Sequence, residues 1–142
     1  MKLVIDTNIL ISALIKNSTV REIIMNSRIK FYYPAISLNE VHKYIELIMN
    51  KSGLNSNEYS ELLRNLLSYI NLVREDKFID YLGEAEKIIG KIDINDVVFV
   101  ACALAINADG IYSEDRHFER QNRVNVFKTK DVLEILKEDF VE

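Results

Sequence analysis

Apolar and polar positions follow two rhythms along this chain. Short runs rich in β-branched and aromatic residues fall at positions 2–5, 30–33, 69–73, 110–112 and 124–127, and each is followed by a stretch of helical character. In one such stretch Val41, Tyr44, Ile45 and Ile48 trace a single helical stripe; in the next, Leu62, Leu63, Leu66, Leu67 and Ile70 do the same. Three helix starts have the form of a capping box: Thr19 with Glu22, Ser37 with Glu40, and Asn55 with Glu58. In that motif the first side chain caps a backbone N–H and the glutamate reaches back. The spacing predicts helices over about 38–50 and 56–68 with no strand between them, a pair that reads as a helical arm (38–68). Positions 94–106 are apolar nearly all round and rich in alanine, which predicts a helix buried against a sheet.

Strands alternating with helices imply right-handed crossovers and therefore parallel pairing. The expected fold class is α/β, a three-layer α/β/α sandwich around a central, mostly parallel sheet of about five strands. One proline and four glycines leave little material for linkers, so the 142 residues read as a single domain, 1–142.

Composition narrows the function classes. A chain 49% hydrophobic and 28% charged has the balance of a soluble globular protein, and no apolar run approaches the ~20 residues of a membrane helix. No membrane partner is expected. The run KLVI is broken at Asp6 too early to resemble an export segment, so the expected location is the cytoplasm. The single cysteine, Cys102, lies within VVFVACALAI and reads as a small buried hydrophobe. A net charge of -4 argues against binding nucleic acid through an overall positive field. A local patch remains open: Arg116, His117, Arg120, Arg123, Lys128 and Lys130 crowd together, a run whose ordinary reading is a solvated face.

The acidic residues carry the chemistry. Asp6 follows the first strand, Glu40 opens a helix, Asp93 and Asp96 open the buried helix, and Glu114 and Asp115 follow the fourth strand. Each alone has an ordinary explanation: Asp6 and Asp93 as helix caps, Glu40 as the back-reaching member of its box, Asp115 as a turn residue. Taken together they say more, because Asp6 and Asp115 both follow strands, and in a parallel sheet those ends share the edge where ligands bind. Like charges gathered there repel and raise each other's pKa unless a cation occupies the space. Oxygen-only ligands, with no Cys or His among them, suit Mg²⁺ or Mn²⁺.

The segments VIDTNIL, SLNEVHKY, DINDVVFVACALA and IYSEDRHF, in this order and followed by a last strand, resemble the PIN domain, a family of metal-dependent ribonucleases. The resemblance covers nearly the whole chain. It implies a parallel sheet of about five strands with an acidic pocket that binds divalent metal and cleaves single-stranded or loop RNA, leaving a 5′-phosphate and a free 3′-hydroxyl. Position by position it makes Asp6, Glu40, Asp96 and Asp115 the catalytic acids and metal ligands, and Asn8 the polar residue that orients the pocket. Asp93 is either an additional ligand or only the helix cap. Adjacent residues in an extended segment point opposite ways, so only one of Glu114 and Asp115 faces the pocket, and the motif favours Asp115.

Around those acids the reading is coarser. Arg116, Arg120 and Lys128 are placed in sequence to contact flanking phosphates, with a solvated face as the equal alternative. His117 reads as a structural or RNA-contacting residue rather than a general base. Tyr32, Tyr33 and Tyr44 could stack on bases, but core packing is the ordinary reading. The chain is similar to the toxin of a type II toxin-antitoxin pair, which implies an antitoxin partner; a stand-alone RNA-processing nuclease fits equally. The arm at 38–68 offers apolar surface for a homodimer. Two rivals differ in class. One is a phosphotransferase using Asp6 as a covalent nucleophile, which would want an aspartate where Asn8 stands. The other is a catalytically inactive PIN-like RNA-binding or assembly module.

Overall fold

The computed structural model describes residues 1–15 and 19–138. In chain order the elements are β1 (Lys2–Ile5), α1 (Thr7–Ile15), α2 (Thr19–Asn26), β2 (Lys30–Pro34), α3 (Leu38–Lys43), α4 (Ile45–Ser52), α5 (Ser56–Leu67) and β3 (Ile70–Val73). There follow α6 (Glu75–Phe78), α7 (Leu82–Ala85), α8 (Val97–Ala105), β4 (Gly110–Tyr112), β5 (Val126–Phe127) and α9 (Thr129–Glu138), with short 3-10 or π turns between several of them.

All five strands are parallel, in the order β3-β2-β1-β4-β5. β1 lies at the centre, with Leu3 opposite Phe31 on one side and Ile5 opposite Tyr112 on the other. Helices cover both faces of the sheet, which explains why Leu3, Val4 and Ile5 are apolar in succession and fully buried. One layer is built on α8, which packs on β1, β2 and β4 with α6 and α7 beside it. Its near-uniform apolarity follows: Val100, Ala101 and Cys102 all have no exposed surface. Helices α2, α3, α4 and α5 gather on α1, and α9 packs against β5.

The strand order fixes where a ligand can sit. From β1 the chain moves outward through β2 to β3, then returns across the sheet to β4 on the opposite side of β1. The two βα connections at β1 and β4 therefore diverge, leaving a crevice beyond their carboxyl ends. Asp6 follows β1 and the segment 113–115 follows β4, so both open into that crevice.

Local rules succeed in some places and yield in others. The Asn55 capping box forms in full: Asn55 accepts the Glu58 amide at 2.9 Å, and Glu58 accepts the Asn55 amide at 3.0 Å. The Ser37 box does not form. The single proline ends β2, a 3-10 turn over Ala35–Ser37 follows, and Ser37 already has helical dihedrals with no side-chain cap, so Glu40 is not drawn back to its own helix end. Thr19 is itself the first helical residue of α2, and the residues before it lie outside the described part of the chain. The single helix expected over 38–50 is broken at Tyr44, where φ is -106° and ψ is 12°, separating α3 from α4. α4 and α5 contribute Ile48 and Leu66, both fully buried, to the same core as the sheet.

Candidate active site

Asp6 is where the strand ends and α1 begins, and its two oxygens do different work. Oδ1 accepts the Ile9 amide at 2.9 Å, the bond of a helix N-cap, and Oδ2 accepts the Ser113 hydroxyl. Only 5% of Asp6 is exposed. Burial pushes its carboxyl up to about 6 despite those two bonds, and the neighbouring charges of Asp115 and Glu114 add to the rise.

Ser113 itself is fully buried just after β4 and accepts the Asp115 amide at 2.9 Å. Asp115 then accepts the His117 amide at 2.9 Å, opening a 3-10 turn over Arg116–Arg120. The alternation after β4 sends Glu114 elsewhere: its carboxylate accepts the Thr129 amide at 2.9 Å, at the start of α9.

Asp96 ends a 3-10 turn over Ile94–Asp96 that leads into α8. It is 7% exposed, and its Oδ2 is buried without a hydrogen-bond partner. Burial pushes this carboxyl up to about 7, with Asp93, Asp115 and Asp6 raising it further and His117 opposing them. Asp93 caps the same turn by accepting the Asn95 amide at 2.9 Å through Oδ1. Its Oδ2 remains available and lies 3.0 Å from His117 Nδ1. The cap and cluster readings of Asp93 therefore hold together, one oxygen each.

Glu40 reaches the crevice from α3. A hydrogen-bond relay sets the position of that helix. Tyr33 donates to the Ser37 carbonyl at 2.9 Å, which leaves Thr7 to donate to the Tyr33 oxygen at 2.8 Å. The start of α1 is thus tied to the turn from which α3 emerges. Burial pushes the Tyr33 phenol far above its ordinary value, with smaller contributions from Glu40 and Asp6.

These elements enclose a pocket of about 170 Å³ lined by Asp6, Asn8, Glu40, Asp93, Asp96 and Asp115, with Tyr44 and Phe99 among its walls. All four principal acids expected from the sequence line it, as do Asn8 and Asp93; Glu114 does not. Tyr33 is fully buried in the core and Tyr32 half-buried, but Tyr44 is 46% exposed beside the acids, because the break between α3 and α4 turns it outward. Arg116 and Arg120 are exposed on the turn after Asp115, whereas Lys128 is paired with Glu119 at 2.7 Å. Cys102 is fully buried and its thiol is pushed up to about 12 by that burial.

The residue that sequence reasoning undervalued is His117. Its Nδ1 is buried and lies 3.0 Å from Asp93, 3.3 Å from Asp115 and 3.7 Å from Asp96, which places a nitrogen among the carboxylates that the oxygen-only expectation did not include. The signal was in SEDRHF: an aspartate that caps the amide two residues on holds that residue's side chain beside its own carboxylate. Asp93, Asp96 and His117 offer ligand atoms that all lie within 4.8 Å of one another.

Several carboxylates facing one small space, two of them pushed toward neutral pKa and one with an orphaned oxygen, make a donor set that fits a divalent cation. An all-parallel sheet with a pocket at its switch point defines the open α/β class, in which ligands bind beyond the carboxyl ends of the strands. Within that class, residues 4–136 match the PIN domain family, and the chain belongs to it. PIN domains are in general metal-dependent nucleases. No curated protein matches the chain. No helix among the described residues is long and apolar enough to cross a membrane.

Proposed function

We propose that this protein is a divalent-metal-dependent endoribonuclease that hydrolyses phosphodiester bonds of single-stranded or loop RNA at the pocket between β1 and β4. The observation that carries the reading is the Asp96 oxygen buried without a hydrogen-bond partner among like charges, a cost that a cation would remove. Asp6, Glu40, Asp96 and Asp115, with Asp93 and His117 beside them, are the residues that would hold Mg²⁺ or Mn²⁺. Bound there, the ion supplies Lewis acidity to water and phosphate.

The chain's own residues do the rest. Ser113 and the Ile9 amide fix the orientation of the Asp6 carboxylate, so it cannot turn away from the pocket. Asn8, exposed at the lip, offers amide N–H groups to a phosphate oxygen. Arg116 and Arg120 are exposed on the turn that begins at Asp115, and are the positive charges we assign to flanking phosphates of an RNA strand. A covalent role for Asp6 is less well supported: both its oxygens accept hydrogen bonds, and no lysine lines the pocket among the described residues.

The test is cleavage of 5′-end-labelled RNA by purified protein, with chelator and Asp96→Asn as controls. Cleavage should require Mg²⁺ or Mn²⁺ and fall by orders of magnitude in the variant, while circular dichroism shows an intact fold. Cleavage that survives chelator, or a variant as active as the parent, would leave the RNA-binding module as the better account.

A further inference from the structure

We infer that Asp93, Asp96 and His117 form a nitrogen-containing ion subsite that binds Mn²⁺ in preference to Mg²⁺ through Nδ1 of His117. The inference rests on the metal-nuclease reading of the pocket and deepens it, by naming a donor and an ion class that the four acids alone do not specify.

Three observations point there. His117 Nδ1 stands 3.0 Å from Asp93 Oδ2 and 3.7 Å from Asp96 Oδ2. Two ligand atoms held at about 2.1 Å by one octahedral ion stand about 3 Å apart when adjacent and about 4 Å when opposite, so these separations suit a shared ion. Asp96 Oδ2 and His117 Nδ1 are both buried, and neither makes a hydrogen bond, although Asp96 as a whole is 7% exposed. No hydrogen bond takes up these two atoms, so both remain open to a shared ion.

The donors are also held in place from behind. Asp93 Oδ1 is fixed by the Asn95 amide and the His117 backbone by Asp115 Oδ1, so that Asp93 is oriented in advance and at His117 only the ring has to be set when an ion arrives. Among the ion pairs of the described residues, only His117 reaches Asp93, Asp96 or Asp115; no lysine or arginine neutralises them. The ion class follows from the nitrogen. Mg²⁺ takes oxygen donors and gives up water reluctantly, whereas imidazole suits first-row transition ions. An imidazole in the donor set therefore tilts the pocket away from Mg²⁺.

Pulsed EPR of the untagged chain loaded with Mn²⁺ at mildly alkaline pH reads the donor directly, because an imidazole nitrogen bound to Mn²⁺ gives a ¹⁴N coupling. The chain has two histidines, and the other, His42, lines a separate groove between α4 and α5. The coupling should be present in the parent, unchanged in His42→Gln and absent in His117→Gln. Loss of a direct ligand should weaken Mn²⁺ binding by about tenfold or more, since even outer-shell partners are worth that much. Mg²⁺ binding, measured by calorimetry, should change by less than about twofold. Bound Mn²⁺ without nitrogen coupling, or equal losses for the two ions, overturns the subsite and leaves the carboxylate pocket standing. A chain that binds no Mn²⁺ overturns both. If His117→Gln does not fold, the His42→Gln spectrum decides the matter, because His117 is then the one histidine left: coupling retained supports the subsite and coupling lost overturns it.

Discussion

Ser113 donates its hydroxyl to Oδ2 of Asp6, and Ser113 Oγ in turn accepts the Asp115 amide, so one buried side chain joins the acid after β1 to the acid after β4. The register of the sheet brings this about: Ile5 pairs with Tyr112, and the next residue on each strand faces the crevice. Ser113→Ala leaves a buried carboxylate oxygen and an amide N–H without their partner. It should destabilise the fold by about 1–3 kcal/mol. It should also raise the Asp6 carboxyl further, because the lost hydrogen bond favours the charged form. Urea unfolding measures the first effect, and a weaker Mn²⁺-induced stabilisation at neutral pH measures the second. Unchanged stability would mean that this hydroxyl contributes nothing to holding the pocket.

The raised carboxyls of Asp6 and Asp96, at about 6 and about 7 against an ordinary value of 3.8, set the pH dependence of the cation-free fold. Between the two sets of values the folded chain keeps protons that the unfolded chain has released. The stability this gives is fully present below about pH 4 and is lost as pH rises through 6 and 7. In chelator, the folding stability should therefore fall from about pH 5 to about pH 8, by an amount on the order of a few kcal/mol, and the melting temperature should fall with it. Mn²⁺ should flatten that slope, because it favours the ionised carboxylates. Asp6→Asn should raise the melting temperature in chelator at neutral pH and weaken the stabilisation by Mn²⁺. Thermal melts over that range, with and without Mn²⁺, check all three; a chelator slope that rises with pH would refute the buried-charge account.

How much of this was legible in the sequence depended on the range of the interaction. The strand and helix periods are local properties of the chain, so β1, β2, β3, β4 and α8 fell close to where the apolar pattern placed them. The acids at strand ends were legible for the same reason, since topology alone sends Asp6 and Asp115 to one edge. Ser113 was hidden because its importance lies in a bond to a residue 107 positions away. Glu40 was ambiguous until the turn after Pro34 removed Ser37 from the capping role. Tyr44 was misplaced because its stripe assumed an unbroken helix, and the break at that residue rotates it from core to pocket wall.

Gly110 shows a second long-range requirement. A Cβ there would lie 2.6 Å from the Asn125 carbonyl oxygen and 2.6 Å from a ring carbon of Phe127, on the strand and approach that pair with β4. Backbone cannot yield cheaply, so Gly110→Ala should destabilise by about 2–3 kcal/mol. Because β4 carries Ser113 to Asp115, the same change should weaken Mn²⁺ binding. Gly83 in α7 is the matched control: a Cβ there meets nothing within 4 Å, and alanine should be neutral or stabilising by about 0.5–1 kcal/mol. Chemical unfolding of the two variants side by side separates a steric effect from a general cost of replacing glycine.

The three cations that follow Asp115 in sequence, Arg116, Arg120 and Lys128, are not equivalent in the structure. Arg116 and Arg120 are exposed on the turn that begins at Asp115, while the Lys128 ammonium is already held 2.7 Å from Glu119. If an RNA strand passes the acids, the two arginines are the groups free to meet its phosphates. Each phosphate contact on a single strand contributes about 0.7 to the slope of log affinity against log salt. The paired change Arg116→Gln with Arg120→Gln should therefore weaken binding and lower that slope by about 1.4, whereas Lys128→Gln should lower it less. Fluorescence anisotropy of labelled single-stranded RNA over a salt series measures this, in an Asp96→Asn background so that the strand survives. A slope unaffected by the double change would assign these arginines to a solvated face and move the RNA path to the other side of the pocket, past Asn8 and Tyr44.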